Sequence, residues 1–394
     1  MSLNNVVSAE RLHIGFFGLR NAGKSSLVNA VTGQKLSLVS DVKGTTTDPV
    51  QKAMELLPLG PVVIIDTPGI DDEGELGAMR VERAKQTLSK IHIAVLVTDA
   101  NAQITPTEKE LLETFKQKNI PFILAKNKAD LLKEIPESAE NELYVSAVTG
   151  YNVNALKEKL AALLKEAKTD KKILADIVKA GDRVVLVVPI DESAPKGRLI
   201  LPQQQTIREL LEIGATTVVV KPEELVYALG EFKTPPRLVI TDSQAFGQVQ
   251  KMVPEDIMLT SFSILFARYK GDLNTVVKGA FALDNLEDGD TLLISEGCTH
   301  HRQCKDIGSV KIPGWVKNHS GKELNFEFTS GGEFPDDLSK YALVIHCGGC
   351  MLNEKEMQNR LKKAEKSGIP ITNYGTAIAH IHGILKRSIE PFEN

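Results

Sequence analysis

Cysteine is scarce in this chain, with four in 394 residues, and tryptophan occurs once. Four thiols cannot build the dense disulfide framework of a small secreted domain. In a reducing compartment they read as metal ligands or spare thiols. Long apolar runs are missing too: stretches such as Val184 to Val188 are far too short to cross a bilayer. The opening MSLNNVVSAERLHIGFFG lacks the basic start, apolar core and small-residue cleavage site of a signal peptide, so a cytoplasmic protein is expected. Neither sign of charge dominates, and a net charge of −4 leaves no basic footprint for nucleic acid or an anionic membrane. The rest is ordinary globular material, 42% apolar and 25% charged, long enough for about two or three domains with cores of their own.

What the chain does have is a series of short apolar strands, each ending in a polar motif. His13 to Gly18 runs into Gly18-Leu19-Arg20-Asn21-Ala22-Gly23-Lys24-Ser25-Ser26, a glycine-rich phosphate loop with a helix after it. The N–H groups of such a loop form a nest for phosphate oxygens at the positive end of the helix. Lys24 is placed to reach the β- and γ-phosphates, and Ser25 offers a hydroxyl to Mg²⁺. Strand Val62 to Ile65 ends in Asp66-Thr67-Pro68-Gly69, where Asp66 can hold Mg²⁺ and the Gly69 N–H can approach the γ-phosphate. Strand Phe122 to Ala125 leads to Asn127-Lys128-Ala129-Asp130, and Leu143 to Val145 leads to Ser146-Ala147-Val148-Thr149-Gly150.

These four motifs, in this order, resemble the translation-factor-related GTPases. The resemblance implies that Asp130 accepts hydrogen bonds from guanine N1 and N2 and so selects GTP and GDP over adenine nucleotides. It implies that Asn127 braces the loops, that Lys128 lays its stem over the base, and that the Ser146-Ala147 turn offers the Ala147 N–H to guanine O6. Asp41 to Asp48 is similar to the first switch of the TrmE-Era-like GTPases, with Thr47 where arginine is usual. Thr46 is the candidate to meet Mg²⁺ and the γ-phosphate, with Thr45 as the alternative; a polar loop whose threonines cap the next element is the plainer reading. Lys24, Thr46 and Gly69 make up the expected catalytic set. Ile70 stands where Ras-like enzymes carry the glutamine that orients water, so slow intrinsic hydrolysis is expected. Asn21 occupies the phosphate-loop position that, in potassium-activated relatives, helps coordinate K⁺ beside the phosphates.

An α/β fold is expected throughout, in three α/β domains: a P-loop GTPase domain over 1–170, a small parallel-sheet dimerisation domain over 171–265, and an α/β cluster-binding domain over 266–394. An amphipathic helix from Asn154 to Lys168 and the charged link Thr169 to Lys172 mark the first boundary. The middle segment alternates strands (Arg183 to Ile190, Thr217 to Lys221, Leu238 to Thr241, Ile257 to Leu259) with helical stretches and carries no catalytic constellation. Its polar loop Asp191 to Arg198 reads as solvated.

In the last segment, strand Thr291 to Ser295 ends in Glu296-Gly297-Cys298-Thr299-His300, and strand Leu343 to Ile345 ends in His346-Cys347-Gly348-Gly349-Cys350. Strand Pro370 to Thr372 ends in Asn373-Tyr374-Gly375. Ligands of an open α/β sheet sit outside the carboxyl ends of its strands at a switch point. If these strands are neighbours, Cys298, Cys347 and Cys350 converge there. Three thiolates and a weaker fourth ligand suit an iron–sulfur cluster or zinc, and spacing alone leaves both open; a redox disulfide between Cys347 and Cys350 is a third reading. Candidates for the fourth position are Glu296, His300, His346 and water. His346 adjoins Cys347, and consecutive strand residues point to opposite faces, so both reaching one iron requires a turn. Cys304 reads as a spare thiol, His380 and His382 as structural, and Trp315 as local packing.

The pattern Cys298-x-His300 followed by His346-Cys347-x-x-Cys350, behind a TrmE-Era-like GTPase and an α/β middle, resembles the HydF family of [FeFe]-hydrogenase maturation GTPases. The resemblance implies a [4Fe–4S] cluster on Cys298, Cys347 and Cys350. It also implies a scaffold or carrier role for a di-iron precursor loaded by two radical-SAM maturases and delivered to apo-[FeFe]-hydrogenase, and a homodimer or higher oligomer. The rival is a zinc-stabilised regulatory GTPase of the ribosome- or tRNA-linked kind. The acidic net charge and the lack of a basic-aromatic stripe count against it.

Overall fold

The computed structural model describes residues 10–34, 49–69, 84, 87–167, 171–190, 199–297, 306–349 and 351–393. The chain divides into two compact units, Met1–Thr169 and Asp170–Asn394.

The first unit is built on a six-stranded sheet in the order β2-β3-β1-β4-β5-β6, from β1 (Leu12–Phe17), β2 (Val50–Leu56), β3 (Gly60–Asp66), β4 (Ile93–Asp99), β5 (Phe122–Asn127) and β6 (Glu142–Tyr144). β2 pairs antiparallel with β3, and the other pairings are parallel. The inner strands are buried on both faces, which is why they read as unbroken apolar runs. Ile93, Val95 and Val97 of β4 pack on the side of Leu27, Val28, Leu156 and Leu160, while Ala94 and Leu96 pack on the side of Leu88 and Phe115. The carboxyl ends of β1, β3 and β5 are thereby brought to one edge, with the phosphate loop, Asp66 and Asn127 on them.

The second unit holds two four-stranded parallel sheets. The first runs β10-β9-β7-β8, from β7 (Arg183–Val187), β8 (Thr216–Val220), β9 (Leu238–Thr241) and β10 (Met258–Ser261). The second runs β12-β11-β13-β14, from β11 (Thr291–Ser295), β12 (Asn325–Thr329), β13 (Leu343–His346) and β14 (Ile371–Asn373). The connectivity repeats. In each sheet the second strand flanks the first on one side, and the third and fourth lie on the other. The chain therefore reverses direction between first and third strand, and β11 and β13 enclose such a switch point.

The two sheets share their packing. Helix Phe262–Lys270 buries Phe262, Leu265 and Phe266 against β7 and β9, and turns Ala267 toward Leu293 and Val344 of the other sheet. The expected boundary at residue 265 falls inside this helix. The chain end also returns to the first of the two sheets: Ile384 and Leu385 join the core of Val185 and Val239, and the Thr260 hydroxyl donates to the Ser388 carbonyl at 2.8 Å. Of the strands outside the expected set, Val50–Leu56 and Asn325–Thr329 are largely exposed edges; the first carries polar residues on both faces, and the second sets Asn325, Glu327 and Thr329 on one face and Phe326 and Phe328 on the other. Among the described residues, no helix is long and apolar enough to cross a membrane.

Helix Leu273–Phe281 lies directly against β14, with Gly279 at the closest approach. A Cβ there would sit 2.0 Å from the Ile371 carbonyl oxygen. Alanine is the better helix former by about 1 kcal/mol. Gly279→Ala is nevertheless expected to destabilise the second unit, by about 1–3 kcal/mol from overpacking. A urea titration followed by the fluorescence of Trp315, the sole tryptophan, should show a lower midpoint. An unchanged or higher midpoint would contradict this packing.

Candidate functional site

The phosphate loop leaves β1 at Gly18 and enters helix Lys24–Thr32 through Gly23, which takes φ +82°. Neither glycine can carry a side chain, since a Cβ would lie 2.3 Å from the Val97 carbonyl oxygen at Gly18 and 2.2 Å from Asn127 Nδ2 at Gly23. Asn21 is exposed at the loop's crest with φ +61°, a conformation asparagine tolerates well. Ala22 and Lys24 are buried, and Ser26 is half-buried in the first helical turn.

Asp66, at the end of β3, receives the Ser25 hydroxyl on Oδ2 at 2.8 Å, and its Oδ1 lies 3.9 Å from Lys24 Nζ. Oδ1 is buried without a hydrogen-bond partner. A hydroxyl and a carboxylate with an orphaned buried oxygen are the hard oxygen donors Mg²⁺ takes, so the residues present fit that ion. Gly69 is half-buried at the end of the described stretch. Thr45, Thr46 and Ile70 lie outside the described residues.

Asn127 links the phosphate loop to the turn at Ala147. Its Nδ2 donates to the Ala22 carbonyl at 3.0 Å, and its Oδ1 accepts from the Ala147 N–H at 3.0 Å. The Ala147 N–H, expected at guanine O6, is thus used inside the protein. Lys128 takes φ +64° and pairs through Nζ with Asp99 Oδ2 at 2.6 Å. Desolvation pushes the Asp99 carboxyl up, but Lys128 and the Asn101 amides outweigh it and hold it below the usual carboxylate range. Asp130 is exposed on the turn Ala129–Leu131, its carboxylate open to a ligand. Ser146 is fully buried and accepts the Thr149 N–H, which shapes the base-side turn.

In the second unit, Ser295 pairs with His346 in the register of β11 with β13, so Glu296-Gly297 and Cys347 emerge side by side at the switch point. The Cys347 sulfur accepts the Gly297 N–H at 2.9 Å and the Gly349 N–H at 3.4 Å. Two N–H donors aimed at one sulfur favour its thiolate form, the form that binds metal. Gly297 has to be glycine, because a Cβ there would meet the Leu352 side chain at 2.7 Å. Glu296 is buried beside this loop, and its Oε1 accepts from the Tyr374 hydroxyl at 3.3 Å. Burial first, and then the nearby Cys347, Glu296 and Asp306, raise the Tyr374 hydroxyl above its usual range, so it remains a neutral donor. Cys298, His300, Cys304 and Cys350 lie outside the described residues.

His346 points the other way. Its Nδ1–H donates to the Cys347 carbonyl at 2.6 Å, and its Nε2 accepts from Arg360 Nη1 at 2.9 Å. Burial, reinforced by the Arg360 charge, lowers its pKa to about 3 and keeps it neutral. With both ring nitrogens engaged, His346 is a supporting residue, which corrects its candidacy as a ligand. Arg360, itself 3% exposed, also donates to the Ser295 hydroxyl at 3.1 Å, to the Gly331 carbonyl at 2.9 Å and to Glu356 Oε1 at 2.9 Å. Lys270 is buried as well, and its Nζ donates to the Leu352 carbonyl at 3.0 Å and approaches that of Gly349 at 3.5 Å. Sequence reasoning missed Lys270, Glu356 and Arg360. The only local signal was the Glu356/Arg360 spacing of four, which on a helix usually marks a solvated ion pair.

Three family models match the chain: a 50S ribosome-binding GTPase over residues 13–128, a hydrogen maturase F dimerization domain over 173–271, and a hydrogen maturase F tetramerization domain over 274–391. The last two together cover more than half of the chain. The tRNA modification GTPase MnmE of Nitrosospira multiformis is 32% identical over 162 residues, which is 39% of this chain and 35% of that protein. GTPase Era of Carboxydothermus hydrogenoformans is 33% identical over 165 residues, 39% of this chain and 55% of that protein. The chain thus spans about half or less of the length of the curated relatives it matches. A crystal structure of Aquifex aeolicus Era bound to GDP and AlF4⁻ aligns with 53% of this chain and 92% of its own, at 23% identity and a TM-score of 0.36.

Exchanging Asp66 for asparagine keeps the Ser25 contact sterically possible but removes the charge offered to Mg²⁺. Asp66→Asn is expected to raise the Mg²⁺ concentration needed for half-maximal GTP hydrolysis by about tenfold or more, in line with about 1.4 kcal/mol or more of lost ion binding. A Mg²⁺ titration matching the wild type would contradict the assignment.

Proposed function

This chain belongs to the hydrogen maturase F family, and on that premise we propose that it is a GTP-hydrolysing scaffold for [FeFe]-hydrogenase maturation. It holds a [4Fe–4S] cluster on Cys298, Cys347 and Cys350. It receives a di-iron precursor from two radical-SAM maturases and passes it to the apo-hydrogenase, working as a homodimer or higher oligomer in the cytoplasm. In this reading 1–170 is the GTPase domain, and the dimerisation domain expected over 171–265 and the cluster-binding domain expected over 266–394 share helix Phe262–Lys270 across their boundary.

One observation carries the cluster assignment. The Cys347 sulfur sits at the switch point between β11 and β13 with two backbone N–H groups on it, where the loop after β11 leads on to Cys298. Soft thiolates suit iron–sulfur chemistry, and fewer than four of them leave one iron with an exchangeable ligand. Of the candidates for that position, Glu296 is buried beside the loop on the Cys347 side, while His346 is turned onto Arg360. Glu296 is therefore the favoured fourth ligand, with His300 and water as the alternatives. A carboxylate is a hard and weakly held ligand for such an iron, which suits a site that must take up and release cargo.

At the nucleotide site the chain binds GTP/GDP with Mg²⁺ on Ser25, Thr46 and Asp66, and Lys24 and the loop amides hold the phosphates. Asp130 selects guanine. The Ala147 N–H exchanges its bond to Asn127 for guanine O6 when the base enters. Asn21, exposed at the loop's crest, presents its side-chain oxygen to K⁺ beside the phosphates.

Replacing Cys298, Cys347 or Cys350 by serine is expected to abolish cluster binding while GTP hydrolysis stays near the wild-type rate and faster in K⁺ than in Na⁺. Loss of hydrolysis in these variants would contradict the division of labour between the units. Equal rates in the two salts would remove K⁺ from the reading.

A further inference from the structure

Three side chains away from both sites meet at one point of the second unit. Asp284 lies on the turn Ala282–Asn285, His319 next to the end of helix Ile312–Ser320, and His380 next to the end of helix Tyr374–Ile381. Asp284 Oδ1 is 2.8 Å from His319 Nε2 and 2.9 Å from His380 Nε2, and its Oδ2 is 3.0 Å from His380 Nε2. One ligand atom from each of the three residues falls within 4.8 Å of the others. The rings are held in place by neighbours: the two imidazoles meet edge-on at 5.5 Å, and Phe281 meets His380 edge-on at 4.9 Å.

The surroundings favour a cation. Both helices direct their carboxyl ends, the negative poles of their dipoles, toward the cluster. The carboxylate of Asp284 adds a full negative charge, held ionised by its bonds to His380 and His319. Two imidazole nitrogens exclude Mg²⁺ and Ca²⁺ as the preferred occupants and select a borderline transition ion. Geometry agrees. Around a tetrahedral ion with bonds of about 2.0–2.1 Å, ligand atoms lie about 3.3 Å apart, a few tenths of an ångström beyond the present hydrogen bonds. Replacing the two bridging protons by one ion therefore moves the carboxylate outward by a few tenths of an ångström and brings the two imidazole nitrogens, which lie within 4.8 Å of each other, to the same spacing.

We propose that Asp284, His319 and His380 form a site for a divalent first-row transition ion, bound through two imidazole nitrogens and one carboxylate oxygen. The site is partly open, with side-chain exposures of 24% and 12% for the histidines and 48% for the aspartate. Water completes the shell, and the ion exchanges with solvent. The alternative is an aspartate that merely staples two imidazoles together.

Cobalt(II) discriminates between these readings, because thiolate sites give intense sulfur-to-cobalt bands whereas a nitrogen–oxygen site gives only weak d–d bands. Titrating the full chain anaerobically with Co²⁺, both as wild type and with Cys298, Cys347 and Cys350 replaced by serine, should reveal one equivalent with d–d bands alone. His319→Ala and His380→Ala should each weaken that equivalent at least tenfold. Asp284→Asn keeps the side chain's size and should do the same, so the test survives if a histidine variant fails to fold. Wild-type binding in all three variants, or no d–d equivalent in the serine-substituted chain, would overturn the site.

Discussion

The hydrogen bond from the Gly297 N–H to the Cys347 sulfur joins the ends of two strands that are neighbours in the sheet and fifty residues apart in sequence. It exists because the chain reverses its direction of winding between β11 and β13, leaving a crevice that no crossover covers. Everything else at that edge serves the same placement. Gly297 lacks the Cβ that Leu352 would block, and Gly349 takes φ +63° so that its own N–H also turns to the sulfur. A sulfur fixed in this way is positioned before any metal arrives, which lowers the ordering cost of binding.

Behind the sulfur stands a buried polar layer. Arg360 ties Ser295 of β11 to His346 of β13 and to Gly331 beyond β12, with Glu356 balancing its charge. Lys270 reaches from the helix shared by the two sheets to carbonyls of the cysteine loop. Unpaired, either cation would be costly in the interior; bonded in this way they lock the loops in register. Because Lys270 belongs to the helix that packs on both sheets, the loop's geometry is tied to the core of the whole second unit.

Much of this was legible in the sequence. Strands that end in a motif, such as Gly60–Asp66 or Leu343–His346, are short apolar runs buried on both faces, and such runs stand out in any sequence. The alternation rule for strands also anticipated the outcome at His346 and Cys347, whose side chains leave β13 on opposite sides. The edge strand Val50–Leu56 was hidden because it carries polar residues on both faces and leaves no pattern, whereas Asn325–Thr329 does alternate polar and aromatic residues but is only five residues long and has no apolar run to mark it. Arg360 and Lys270 were hidden for a different reason. Charged residues at helical spacing read as a solvated face, and only the fold shows that these are buried. The shared helix Phe262–Lys270 and the docking of Ile384 and Leu385 on β7 and β9 are non-local contacts without a local signature, so a boundary set by composition at 265 cuts through a helix.

The phosphate loop and the cysteine edge follow one physical plan: parallel strands deliver glycine-rich turns to a crevice, where backbone N–H groups are available to phosphate in one unit and bond sulfur in the other. At the sulfur edge the proposed occupant is an iron–sulfur cluster. Metal and acid-labile sulfide analysis of the anaerobically purified chain tests it most directly. Iron and sulfide in equal amounts, about four of each per chain as a [4Fe–4S] cluster requires, is the predicted result. A colourless protein carrying stoichiometric zinc and no sulfide would contradict it.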